Sequence, residues 1–244
     1  MRLTAPILAG LLAGVLAAGR GFPAEMLVVG PSASPGVEGL PAGWQHVPPS
    51  KTVASTRYRM VREADADVLQ AESRASASSL YRPLEVDPAI YRVMAWRWKI
   101  QKVLVKGDSP VKSGGDHPAQ VYVKFRYDRT KASLWERTRY WAYRTWYGEY
   151  PHAGVLHYVW DRRLPRGTAH DVPDARKERL IVLRSGPEDT GRWVKEERNV
   201  YEDYRQAFGR EPFPIAGVGI MTDTDEAGET AVAWYGQIVL RTVK

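Results

Sequence analysis

Apolar positions along this chain recur mostly with a period of two, and the runs are short. In 91–100 (YRVMAWRWKI), Met94, Trp96, Trp98 and Ile100 fall on one side and Val93, Ala95, Arg97 and Lys99 on the other, the alternation of a half-buried strand. Similar short runs at 51–62, 68–73, 155–160, 179–184 and 193–198 are rich in β-branched or alternating residues and predict further strands. In 120–126 (QVYVKFR), Val121, Val123 and Phe125 take the inner side. The turn signal VKSGGDHP at 111–118 predicts that 91–100 and 120–126 pair as a hairpin.

Two segments change period. In 132–147 (ASLWERTRYWAYRTWY), Leu134, Trp135, Thr138, Trp141, Ala142, Thr145 and Trp146 repeat at helical spacing, with Arg137 and Arg144 off the stripe. Such a helix fits a membrane interface, where indoles sit at headgroup depth and arginine meets anionic lipid. The reading preferred here is a helix that covers an end of the domain and buries the same rings. A second helix opens at Asn199, an N-cap residue, carries Tyr201, Tyr204 and Phe208 on its apolar side and ends at Gly209.

With about eight to ten short strands, two late helices and no alternating βαβ rhythm, the predicted fold is all-β. It is a two-sheet antiparallel jelly-roll-like sandwich with one or two short inserted helices.

The C-terminal stretch 215–244 consists of two apolar segments around TDTDEAGET, and predicts a hairpin that closes the sandwich. Asp223-x-Asp225-x-Ala227-Gly228 copies the start of a calcium loop. Ala227 stands where an oxygen ligand is required, and Trp234 where the bidentate glutamate belongs, which excludes an EF-hand. Two roles remain. Asp223, Asp225 and Glu229 can gather around a calcium ion, or the aspartates hydrogen-bond their own turn. Gly217 and Gly219, two apart in a strand, predict a neighbouring ring or backbone lying close against the sheet.

The composition adds bounds. The 244 residues are 44% hydrophobic with nine Trp and thirteen Tyr, ample for a packed core. Residues 1–24 read as an export signal with a short Ala/Leu/Gly run. The Pro/Gly/Ser-rich 25–43 reads as a flexible linker, and 44–244 as the sandwich domain, so a periplasmic or secreted protein is expected. The absence of cysteine excludes disulfides and thiol chemistry. A formal charge of +7 favours acidic partners such as anionic headgroups or polysaccharides. No nucleic-acid-binding motif accompanies it, and nucleic acid is not expected as a partner.

AWRWKI (95–100), VYVKF (121–125), LHYVW (156–160), RNVYEDYRQAFG (198–209) and GIMTDTDEAGETAVAWYGQI (219–238) together resemble the DUF3047 family of exported bacterial proteins. The resemblance implies a jelly-roll-like sandwich similar to carbohydrate-binding modules, and no assigned reaction. Before VYVKF the chain departs from it. Gly115-Asp116-His117 and Gln120 stand where the family pattern has a paired-Asp turn and an Arg, so a role for those residues is not carried over.

No glycosidase-like pair of carboxylates is singled out by spacing. His152 and His157 have no third ligand of zinc spacing. The sequence therefore supports an exported, noncatalytic binding module for a glycan or cell-envelope polymer. The alternatives are a hydrolase of an envelope polysaccharide and a protein that meets an anionic membrane surface through 132–147. Trp96, Arg97, Trp98, Asp116, Trp234 and Tyr235 are the candidate ligand-binding residues, beside the reading in which the Trp pair faces the core and the basic pair faces solvent. Asp223, Asp225 and Glu229 are the candidate calcium ligands.

Overall fold

The computed structural model describes residues 25–31, 40–48, 52–64, 66–106, 115–138, 141, 152–173, 175 and 177–243. The expected signal segment 1–24 lies outside them. The strands are β1 (Met26–Gly30), β2 (Gln45–Val47), β3 (Arg57–Glu63), β4 (Ala66–Arg74), β5 (Ser79–Val86), β6 (Val93–Ile100), β7 (Ala119–Arg126), β8 (His152–Asp161), β9 (Ala169–Asp171), β10 (Glu178–Ser185), β11 (Val194–Asn199), β12 (Ile215–Met221), β13 (Thr230–Tyr235) and β14 (Ile238–Arg241). A helix, Val200–Phe208, follows β11, and 134–138 form a helical turn.

The described strands make two seven-stranded sheets, the expected sandwich. The first runs β1-β14-β6-β13-β4-β3, with β11 on the other edge of β6, and the second runs β2-β5-β12-β7-β8-β10-β9. Pairing is antiparallel except between β8 and β10.

Three expectations are corrected. β6 and β7 are not a hairpin, because β6 spends one edge on β11 and the other on β13 and β14, leaving β7 to the opposite sheet. β12 and β13 are likewise not a hairpin, and the TDTDEAGE segment carries the chain from one sheet to the other. The segment 25–43 is not linker throughout. MLVVG is an apolar run ahead of the Pro/Gly/Ser-rich part, and it pairs with β14 as β1.

The core lies between the sheets. Trp96 and Trp98 from β6 meet Tyr158 and Trp160 from β8, with ring centroids 5.4 Å (Trp96–Tyr158) and 6.1 Å (Trp98–Trp160) apart. Large rings bring much apolar area, and their polar ends need partners. Trp98 Nε1 donates to Glu196 (3.2 Å), which Arg184 Nε also reaches at 2.6 Å. Tyr158 donates to Asp203 at 2.7 Å, beside Arg198.

The helix begins as the sequence predicts. Asn199 caps it by accepting from Glu202 N at 3.1 Å, and Gly209 closes it in the left-handed region at φ 66°. Tyr204 is its buried anchor, packed on Phe125 and Phe208 and donating to Ala153 O at 3.1 Å. Tyr204→Phe removes that bond and leaves a buried carbonyl short of a partner, so unfolding in urea should show a loss of about 1 kcal/mol.

Candidate functional site

The sheet register brings together side chains that lie far apart in sequence. On the outer face of the second sheet, Gln45, Tyr81, Gly219, Tyr122, His157 and Leu180 form one transverse row across six strands. The next row is Pro83, Gly217, Lys124, Val155 and Glu178. Beyond Leu180 the face is closed by a small apolar cluster of Val159, Leu180 and Val182 against Leu164 and Val172.

The middle of β12 bears no side chain on this face because Gly217 and Gly219 both point outward. Tyr81 from β5 and Tyr122 from β7 lean over it from either side. A Cβ at Gly217 would overlap the Tyr81 phenol, and one at Gly219 the Tyr122 ring. The expected close approach of a ring to these glycines is therefore present. The two rings are within 6° of parallel, with centroids 6.3 Å apart, and both residues are half-buried. Burial, with the neighbouring phenol, pushes the Tyr81 hydroxyl up to about 12, and burial raises that of Tyr122. Both are neutral hydrogen-bonding groups at physiological pH.

Polar groups border the rings. Ser79 Oγ lies 3.1 Å from the Tyr122 hydroxyl, and Gln120 Nε2 lies 2.9 Å from His157 Nδ1. His157 Nε2 is 2.9 Å from Glu178, whose other oxygen is 3.3 Å from His152 Nε2. Burial alone would raise the Glu178 carboxyl, but hydrogen bonds from His152 and His157 hold it at about 2. The two histidines thus serve one carboxylate.

The carboxylates gather at one end of the same strands. Asp116 precedes β7, Asp223 and Asp225 follow β12, and Met221 pairs with Gln120, so the three converge with one ligand oxygen each within 4.8 Å of the others. Oxygens bound to one calcium at about 2.5 Å lie no more than roughly 5 Å apart, so the set fits a calcium ion. Asp116 accepts from Ala227 N (2.5 Å) and Glu226 N (3.4 Å), and Asp223 accepts from Asp225 N at 3.3 Å. The turn bonding expected of the aspartates is thus present as well. Burial first, then Asp225 and Asp116, push the Asp223 carboxyl up to about 9. Burial also raises Asp116, against the pull of its two N–H donors.

Glu229 is not part of this group. Its carboxylate accepts from Val105 N at 2.8 Å and from Lys106 N, tying down 105–106 instead. Asp116, expected as a ligand-binding residue, takes its place in the trio.

The remaining candidates fall elsewhere. Trp96, Trp98 and Tyr235 are 3%, 0% and 1% exposed and belong to the core, out of a ligand's reach. Arg97 and Trp234 are on the outer face of the first sheet, as strand alternation requires. There Arg97 lies over Trp193 at 4.6 Å and Lys99 over Trp234 at 4.2 Å, with Lys99 also paired to Glu63. These cations and rings are occupied with one another. In the predicted helix 132–147, Leu134, Trp135 and Trp141 are exposed, against the expectation that the stripe is buried. Residues 139–140 and 142–147 lie outside the described residues.

A family model described as "Protein of unknown function (DUF3047)" matches residues 42–239. The chain belongs to the DUF3047 family. No curated protein matches it. Among solved structures, the DUF3047 chain is similar to a carbohydrate binding module of family 29, with 11% identity, 91% of this chain and 90% of that one covered, and a TM-score of 0.34. It is also similar to the family 11 xylanase from Neocallimastix patriciarum, with 10% identity, 82% and 97% covered, and a TM-score of 0.33. At such scores the similarity carries neither a ligand nor a reaction to this chain.

Proposed function

We propose that this is an exported, noncatalytic glycan-binding module whose ligand lies on the outer face of the second sheet. The observation that carries the reading is the parallel Tyr81–Tyr122 pair laid over the Gly217 and Gly219 backbone. A sugar ring has an apolar face of C–H groups and a rim of hydroxyls. Its face packs on aromatic rings, and its rim needs donors and acceptors close by. The phenol hydroxyls, Ser79, Gln120 and His157 supply them in neighbouring rows. The carboxylate trio would hold a calcium ion between the 222–229 crossover and the start of β7, which borders the platform. Such an ion would support the architecture.

The test is affinity electrophoresis through gels that contain soluble plant and bacterial polysaccharides. A retarded wild-type protein should lose roughly tenfold or more in affinity on Tyr81→Ala or Tyr122→Ala, the scale of a central aromatic contact. Trp234→Ala, on the opposite sheet, should bind as the wild type does. Retardation that survives both tyrosine substitutions contradicts the reading.

A further inference from the structure

We propose that the tyrosine platform selects acidic glycans and that Lys124 is the residue that reads the anionic group. This deepens the glycan reading above and rests on it. Lys124 is the register partner of Gly217, the residue that the Tyr81 phenol covers. It follows Tyr122 by two positions on β7 and so rises from the same face. It is exposed and makes no ion pair with a described residue.

The neighbouring carboxylates on this face already have partners. Glu178 lies between His152 and His157, and Glu85 pairs with Arg126. The platform therefore presents a floor of two parallel phenol rings with Lys124, a cation that makes no ion pair among the described residues, at its border. A neutral sugar would use the floor and leave the ammonium solvated. A sugar that carries a carboxylate or sulfate meets both at once. An ammonium is a point charge without the fork geometry of arginine, so it accepts either anion. Its attraction is that of a partly solvated pair and weakens with salt.

Two matched polymer pairs test this in affinity gels at low and moderate salt: polygalacturonate against its methyl ester, and dextran sulfate against dextran. The wild type should bind at least one acidic member roughly tenfold more tightly than its neutral partner, with the margin shrinking as salt rises. Lys124→Gln should remove most of that margin and leave binding to the neutral member unchanged. Lys195→Gln, the same change of charge on the outer face of the other sheet, should keep the margin. Tyr122→Ala should weaken binding to both members.

The inference is overturned if Lys124→Gln keeps the acidic preference, if Lys195→Gln loses as much, or if the neutral members bind better. In each of those cases, weakening by Tyr122→Ala leaves the glycan reading standing. If neither acidic polymer is bound, the inference fails. If Tyr122→Ala also changes nothing across neutral and acidic polymers alike, the glycan reading fails with it. Thermal midpoints, expected within about 2 °C of the wild type for the two exposed lysine substitutions, separate loss of binding from loss of fold.

Discussion

Asp223→Asn should raise the thermal midpoint of the cation-free protein at pH 8 by about 4–8 °C, on the order of 2 kcal/mol. Asp223 is half-buried beside Asp225 and Asp116, and its carboxyl is pushed up to about 9. An unfolded chain ionises the same group near the ordinary aspartate value. Between these limits the native state holds a proton that the unfolded state has released. Wild-type stability is therefore highest below about pH 4 as far as this group is concerned, and it declines as pH rises toward about 9. Asparagine keeps the shape of the protonated acid and removes the titration, so the decline should flatten. Calcium separates the two proteins. It should raise the wild-type midpoint at pH 8, because it binds the native trio only, and leave Asp223→Asn almost unmoved. Scanning calorimetry from pH 5 to pH 9, with chelator and with calcium, reads both effects. A wild-type midpoint that rises across this range in chelator would contradict the assignment of the buried acid.

Gly217→Ala should be more damaging than Gly219→Ala, although both replace a glycine with the smallest side chain. The atoms nearest a Cβ at Gly219 all belong to the Tyr122 side chain, which can move at the cost of its hydrogen bond with Ser79. A Cβ at Gly217 meets the Tyr81 phenol and also the backbone oxygen of Arg82, at 2.5 Å. Backbone in a paired sheet has nowhere to go. Overpacking of this kind costs about 1–3 kcal/mol, with Gly219→Ala at the lower end and Gly217→Ala at or above the upper end in urea unfolding. Both variants should bind glycan roughly tenfold or more weakly, because each lifts one ring off the floor. Equal stability losses would show that the tyrosines, and not the β5 backbone, set the constraint.

Much of the architecture was legible because a strand's side-chain period is a local property. The Trp-bearing alternation of β6 places Trp96 and Trp98 inward and Arg97 and Lys99 outward without reference to any partner. Partner choice is not local. β6 and β7 look like a hairpin, yet the edges of β6 are taken by strands from the far end of the chain. The platform was hidden for a related reason. β5 reads SLYRPLEV, with Pro83 in its middle, and lacks the alternation that marks a strand. Tyr122 looked like the outward member of VYVKF and nothing more. The signal that pointed to them was the spacing of Gly217 and Gly219, which announces a close neighbour without naming it. The carboxylate trio shows the same limit. Asp223 and Asp225 stand out in sequence, but Asp116 joins them only through the register of β7 with β12, and nearby Glu229 is drawn away by the N–H groups of 105–106.

The central claim is that ligand lies on the outer face of the second sheet, over the two tyrosines. Titration of the protein, labelled with carbon-13 on its tyrosine rings, against a polysaccharide that retards it tests this most directly. Ring resonances of Tyr81 and Tyr122 should move together and saturate with one binding constant, while those of the buried Tyr158 and Tyr235 stay in place. Saturable binding that leaves Tyr81 and Tyr122 unmoved would contradict the account.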